Sequence, residues 1–252
     1  MLALGIKQNM LIKNKKVQLS EIFTSIEGEG IFFGTKTMFI RMAGCHLKCY
    51  WCDTDYALSM NSGKSYSINE VKKMIKKKLT KNTYKINFTG GEPLIQYDIV
   101  KDLARFVKEE IGLRTYLESS CYDFNRFGEV LPYFDICKIE FKMKDSNVVE
   151  KKYYSNLLKN EMECLKMAIN SNKITFVKIV VSKYSNFDEF KELIDNIFHT
   201  VCAQSLAGFI IQPTTKIDEP TVDSLLKFYD LVYPKYNDVR IIPQLHKVIG
   251  AS

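Results

Sequence analysis

The sequence predicts an α/β fold, a partial or trimmed parallel (β/α) barrel, and three observations lead there. Short apolar, β-branched or aromatic runs of strand length alternate with amphipathic stretches of helix length. No repeat, low-complexity tract or Pro/Gly/Ser-rich linker interrupts that alternation. The residues able to do chemistry fall repeatedly at the ends of the strand runs, where parallel barrels build their sites. One such domain accounts for residues 1–252, with residues 1–18 read as a basic N-terminal extension, either disordered or packed at an edge.

The strand runs are Thr37 to Met42, Lys85 to Thr89, Arg114 to Glu118, Ile136 to Phe141, Ile174 to Val181, Gly208 to Gln212 and Val239 to Ile242. The clearest helix sets Ile99, Leu103, Phe106, Val107 and Ile111 on one face, starts at the capping residue Asp98 and stops at Gly112. Others run from Ser67 to Leu79, Tyr154 to Ile169, Phe187 to Phe198 and Thr221 to Val232, the last with Pro220 at its start. Repeated strand-helix units imply parallel strands with right-handed crossovers.

Bulk properties narrow the class. An apolar fraction of 46% and a charged fraction of 26% describe a folding globular chain. The longest apolar runs are strand-sized, far below the roughly 20 residues of a membrane helix, and the N-terminus lacks the apolar core of a secretion signal. Seven cysteines, three of them within eight residues, read as metal or redox chemistry in the reducing cytoplasm. The net charge of +7 arises largely from lysines on helix faces such as Lys72, Lys73, Lys76, Lys77 and Lys78, a solvated surface and not a nucleic-acid stripe. It also suits an anionic small substrate.

Cys45-x-x-x-Cys49-x-x-Cys52 puts three thiolates on one tight loop, which suits a four-iron, four-sulfur cluster whose fourth iron has no protein ligand. An open iron of that kind chelates the amino and carboxylate groups of S-adenosylmethionine beside an electron source, so that reduction releases a 5'-deoxyadenosyl radical. A structural zinc site is the alternative; it needs a fourth ligand, and the nearby candidate is His46. Cys121, Cys137, Cys164 and Cys202 read as small buried hydrophobes. At the end of the next strand, Thr89-Gly90-Gly91-Glu92-Pro93 offers two glycines for close backbone approach to a ligand and a carboxylate able to accept from an ammonium.

CxxxCxxC followed by TGGEP resembles the signature pair of the radical S-adenosylmethionine superfamily. The run Ser25-Ile26-Glu27-Gly28-Glu29-Gly30, then Gly34, Phe39-Ile40-Arg41, Gly44-Cys45 and Trp51-Cys52-Asp53-Thr54, together with Val239 to Lys247 at the far end, is similar to the 7-carboxy-7-deazaguanine synthase family. That resemblance implies a radical S-adenosylmethionine type of barrel and a usual homodimer. It also implies a magnesium requirement and conversion of 6-carboxytetrahydropterin to 7-carboxy-7-deazaguanine with loss of ammonia, on the route to queuosine or archaeosine. Carried over by motif, Ile26, Glu27, Gly28, Arg41 and Thr89 contact substrate. Trp51, Cys52, Asp53, Gly91, Glu118, Lys142 and Gln212 line the S-adenosylmethionine site, Cys45, Cys49 and Cys52 hold the cluster, and the Thr54 hydroxyl ligates Mg2+. A flavodoxin or ferredoxin is the implied electron donor. The family's Glu-Thr followed by Asn or Gln and Gly is Glu118-Ser119-Ser120-Cys121 here, and its Ser-Pro-Lys or Asp-x-Lys is Glu140-Phe141-Lys142. A glycyl-radical activating enzyme shares the two superfamily motifs, and a zinc-stabilised binding module shares the cysteines; neither explains the Ile26 block or Pro243-Gln244-Leu245-His246-Lys247.

Overall fold

A computed structural model describes residues 15–250. Its nine strands form one open sheet: β1 (Lys16–Ile26), β2 (Lys36–Met42), β3 (Lys64–Ser67), β4 (Lys85–Gly90), β5 (Arg114–Ser119), β6 (Ile136–Phe141), β7 (Ile174–Val181), β8 (Gly208–Pro213) and β9 (Val239–Ile241). The order is β3-β1-β2-β4-β5-β6-β7-β8-β9. From β2 to β9 every pairing is parallel, whereas β1 runs antiparallel to both β2 and β3. The result is a partial barrel with an antiparallel flap on one edge.

The seven expected strands are the parallel ones. Both strands of the flap escaped the sequence pattern, and Lys16 to Gln18 belong to β1, so the extension drawn to residue 18 ends too late. Its remainder, residues 1–14, lies outside the described residues, as do Ala251 and Ser252. In β1, Val17 and Leu19 are buried in alternation, then a register shift between Leu19 and Glu21 moves burial to Ile22. That bulge breaks the period-two signal.

Helices α1 (Ile68–Lys78), α2 (Tyr97–Phe106), α3 (Phe124–Val130), α4 (Tyr154–Asn170), α5 (Phe187–Thr200) and α6 (Val222–Val232) cover the outer face, and a short α7 (Leu245–Ile249) brings His246 to the cavity. A reciprocal capping box between Ser67 and Glu70 starts α1. α2 passes into a π turn, Val107–Ile111, closed by Gly112 at φ 75°. The short α3 and α7 carry too few turns for a periodic signal. Between helices and sheet lies the main apolar core, including Val100, Leu103, Leu117, Ile139, Leu165, Ile179 and Phe209.

The inner face is layered because side chains of a strand alternate between its two sides. Tyr116, Ile136, Phe176 and Ile210 pack with Ile31, Phe32 and Ile242 as an apolar floor. Two residues further along the same strands stand Glu118, Lys138, Lys178 and Gln212, all lining the cavity above that floor. These four polar groups therefore stand on the C-terminal side of the floor.

Candidate active site

After β2 the chain turns at Gly44, where backbone bonds from Gly44 N to Ala57 O and Cys45 N to Leu58 O, both 2.8 Å, fix the cysteine loop. Cys45, Cys49 and Cys52 are free, half-buried thiols on the wall of one cavity of about 220 Å3. The glycines of Thr89-Gly90-Gly91 explain how β4 ends so close to this loop. A Cβ on Gly90, at φ 150°, would stand 2.3 Å from Met42 O, and one on Gly91 would stand 2.4 Å from Gly44 O and 2.9 Å from the Cys45 Cβ. The close approach they permit is to the cysteine loop.

Glu92 is not available to an ammonium. It is buried and accepts from Leu94 N at 2.9 Å, Ser119 Oγ at 2.9 Å and Ser120 N at 2.7 Å. It ties the end of β5 to the turn after β4. His46 is exposed and packs against the Tyr122 ring at 4.2 Å, away from the cavity. The fourth donor of the zinc reading is thereby turned outward, while three thiols on one loop fit a cluster with an open iron. Burial pushes the Cys45 thiol up to about 11 and raises Cys52 as well. Bound iron would supply the positive charge that offsets such burial and favours the thiolates. Cys121, Cys137 and Cys164 are buried as expected, but Cys202 is exposed.

The residues expected to meet the substrate line the same cavity. Arg41 donates through Nε to Glu21 at 2.8 Å and through one terminal nitrogen to Thr54 Oγ1 at 3.4 Å, with its guanidinium over the Phe23 ring. Thr89 Oγ1 donates to Glu118 Oε2 at 3.2 Å. Glu27 is buried against the Lys85 ammonium at 2.5 Å, and Ile26 stays exposed on the rim.

A web of charge, buried at Lys138, Glu140, Lys142 and Lys178, spans the cavity from the cysteines to the C-terminal segment. Glu140 receives Lys138 at 3.0 Å, Lys178 at 2.9 Å and Lys142. Lys178 also reaches Glu29 at 2.6 Å. Gln244 donates to both Glu29 and Asp53 at 2.8 Å, and the His246 ring approaches Asp53 at 3.2 Å. Burial opposes charge on Lys142, but Cys49 and Glu140 prevail and hold its ammonium well above the usual range. Asp53 stands exposed at the rim, and although desolvation works against its charge, bonds from His246 and Thr54 and the Lys247 charge hold its carboxyl well below the ordinary value. Two polar atoms on the wall, Ser120 Oγ and Gln212 Oε1, are buried without a partner among the described residues and so suit a ligand.

Oxygen donors for a hard cation also cluster here. Thr54 Oγ1 lies 2.8 Å from Asp53 Oδ1, and ligand atoms of Glu29, Asp53 and His246 all fall within 4.8 Å of one another. Glu29 is already held by Lys178 and Gln244, which leaves the Thr54 hydroxyl and the Asp53 carboxylate as the oxygens that fit Mg2+, an ion that binds few protein oxygens and completes its octahedron with water or substrate.

Glu92 apart, the cluster, cofactor, substrate and Mg2+ residues named from the sequence all line this cavity. Sequence reasoning missed Glu29, Lys138, Glu140, Lys178, Gln244 and His246 as lining residues. Glu29, Gln244 and His246 stood inside quoted motifs, whereas nothing in a strand-sized run marks Lys138 or Lys178 as facing inward. Gln244 and His246 bring the C-terminal segment to the site.

Residues 39–197 match the family model described as the radical SAM superfamily. The chain is 32% identical over 253 residues to 7-carboxy-7-deazaguanine synthase of Methanocaldococcus jannaschii, covering 92% of this chain and 99% of that one. It is 27% identical to the enzyme of the same name from Methanothermobacter thermautotrophicus, covering 93% and 98%. Among solved structures it resembles QueE from Escherichia coli, with a TM-score of 0.60 at 18% identity over 95% of this chain and 99% of that one, which speaks for the fold.

Proposed function

This chain belongs to the 7-carboxy-7-deazaguanine synthases of the radical SAM superfamily, and from that premise we propose that it contracts 6-carboxy-5,6,7,8-tetrahydropterin to 7-carboxy-7-deazaguanine with release of ammonia. The observation that carries the reading is the convergence of the three cysteines, the Ile26 to Gly28 segment, Arg41 and Thr89 on one cavity. A protein loop as substrate, as in a glycyl-radical activating enzyme, gives no role to the Ile26 block or to Gln244 and His246 on the wall.

Cys45, Cys49 and Cys52 would hold the cluster, which supplies the electron that opens S-adenosylmethionine reductively. Trp51, Asp53, Gly91, Glu118, Lys142 and Gln212 would line the cofactor's berth, Lys142 as a cation and Gln212 through its unpartnered oxygen. Arg41, with Nε engaged by Glu21 and one terminal nitrogen by Thr54, keeps its other terminal nitrogen for the substrate carboxylate. Thr54 and the neighbouring Asp53 would take Mg2+ and screen that carboxylate. The wall otherwise positions substrate and shields it, since the demanding chemistry belongs to the cofactor.

No helix among the described residues is long and apolar enough to cross a membrane. A cytoplasmic location, a homodimer and a flavodoxin or ferredoxin as reductant complete the proposal. The test is an anaerobic assay of reconstituted protein with 6-carboxytetrahydropterin, S-adenosylmethionine, Mg2+ and a reductant, read by mass. Product that disappears in Cys49→Ala is the expected result. Accumulation of 5'-deoxyadenosine without the deazaguanine would reject the substrate.

A further inference from the structure

We propose that Lys85 is a positioning residue for substrate: it holds Glu27 with one carboxylate oxygen turned to the cavity, as acceptor for the amino and ring N–H donors of the pterin. The inference rests on the function proposed above and adds to it a residue that the substrate never touches.

Lys85 opens β4 and is 0% exposed, and it is not part of the cavity wall. Its ammonium is enclosed on every side by named partners. Glu27 Oε2 lies at 2.5 Å and Thr37 Oγ1 at 2.7 Å, while the ring of Tyr116 stands 4.9 Å away and that of Phe32 5.5 Å away. Asn87, two residues along the same strand, reaches the same Oε2 at 3.4 Å. Glu27 is therefore held by one oxygen alone. It lines the cavity, and among the described residues its Oε1 has no hydrogen-bond partner.

Stability does not account for this pair. A buried ion pair costs desolvation at both ends, and an apolar pair of similar size is often as stable or more so. What the pair supplies is an anion where the surroundings oppose one. Burial, with Glu118 from β5 and Glu29 beyond β1 adding negative charge, pushes Glu27 up to about 7 even with Lys85 drawing it down. Burial also lowers Lys85, which Glu27 and Glu118 counter. Tyr116, the remaining ionisable group packed here, stays neutral because burial raises it far above its ordinary value. Without Lys85 the carboxyl takes a proton at neutral pH and meets the pterin donors with one fewer acceptor.

The experiment compares wild type, Lys85→Met and the double variant Lys85→Met/Glu27→Gln for KM, kcat and pterin affinity. Affinity is measured by anaerobic equilibrium dialysis on the reconstituted protein without reductant, from pH 6 to about 9, a span that brackets the carboxyl's range. In wild type, binding strengthens as pH rises through about 7. Lys85→Met is expected to weaken binding about tenfold or more at neutral pH, to leave kcat nearly unchanged at saturation and to move the midpoint upward by about one unit or more. The double variant is expected to fold and to bind weakly without the pH dependence that Glu27 supplies, keeping only what the His246 imidazole on the same wall contributes, so the test survives a Lys85→Met that fails to fold. A Lys85→Met protein with wild-type affinity and midpoint, or a double variant that keeps the wild-type pH profile, overturns the inference alone. Wild-type protein that neither binds nor converts the pterin overturns the function itself.

Discussion

The ring of His246 occupies the space that a side chain on Gly28 would need: a Cβ there would stand 2.3 Å from His246 Nδ1 and 3.2 Å from the His246 backbone nitrogen. The backbone reinforces the contact, since Leu245 N donates to Gly28 O at 3.0 Å. An N-terminal glycine and a C-terminal histidine thus meet as opposing pieces of one cavity wall.

Gly28→Ala is therefore expected to push the His246 ring off Asp53 and to loosen α7. Displacement of wall groups by an ångström costs on the order of tenfold to a hundredfold in kcat/KM. Thermal unfolding should move far less, because α7 buries none of its side chains fully. Steady-state kinetics beside a melting curve check this, and an unchanged kcat/KM would refute it.

Gly91→Ala acts on the cluster. Its Cβ would collide with Gly44 O and the Cys45 Cβ at 2.4 and 2.9 Å. Both belong to the tightly bonded turn that presents the thiols, and a close-packed site of this kind relaxes only partly. Iron and sulfide per chain after reconstitution should fall roughly by half or more, with visible absorbance falling in parallel.

Arg41→Lys keeps the charge but loses the planar fork. With Glu21 engaged at Nε, wild-type Arg41 still has N–H groups to spare, whereas a lysine drawn to Glu21 has one ammonium to share. KM for the pterin should rise about tenfold or more with a smaller change in kcat. The KM and kcat of the variant settle the matter, and a fall in kcat alone would point to a different role.

Glu161, in α4, is fully buried, and its Oε2 has no partner among the described residues. Burial, then the nearby Cys121, raise its carboxyl well above the ordinary value, against pulls from Lys142. A raised carboxyl binds its proton more tightly folded than unfolded. Its contribution to stability is complete below the unfolded value, near 4.5, and is lost as pH rises from there through the folded one. Glu161→Gln removes that loss. Denaturant unfolding should show a gain growing with pH from about 5 to on the order of 2 kcal/mol at neutrality. A difference independent of pH would count against it.

Much of the site was legible because its chemistry is written in short segments. Cys45 to Cys52 spans eight residues, and Thr89 to Glu92 ends a run of strand type; local patterns of this length survive in the sequence whatever surrounds them. The same locality explains the errors. Glu92 looked like a free acceptor because its partners, Ser119 and Ser120, lie some thirty positions away. The flap strands stayed hidden because a bulge interrupts β1 and β3 has only four residues.

By itself the sequence determined the alternation of strands and helices, the cysteine loop and the family. Tertiary structure alone decided which charges meet. Lys85 reaches Glu27 across 58 positions, Lys178 reaches Glu29 across 149 and Gln244 reaches Asp53 across 191. Along a strand, a lysine among apolar residues reads as a solvent-facing position. In a barrel both faces of the strand are covered, so the inward charge must find an opposite one from another strand. Such pairing is a property of the closed packing, where long-range partners replace water.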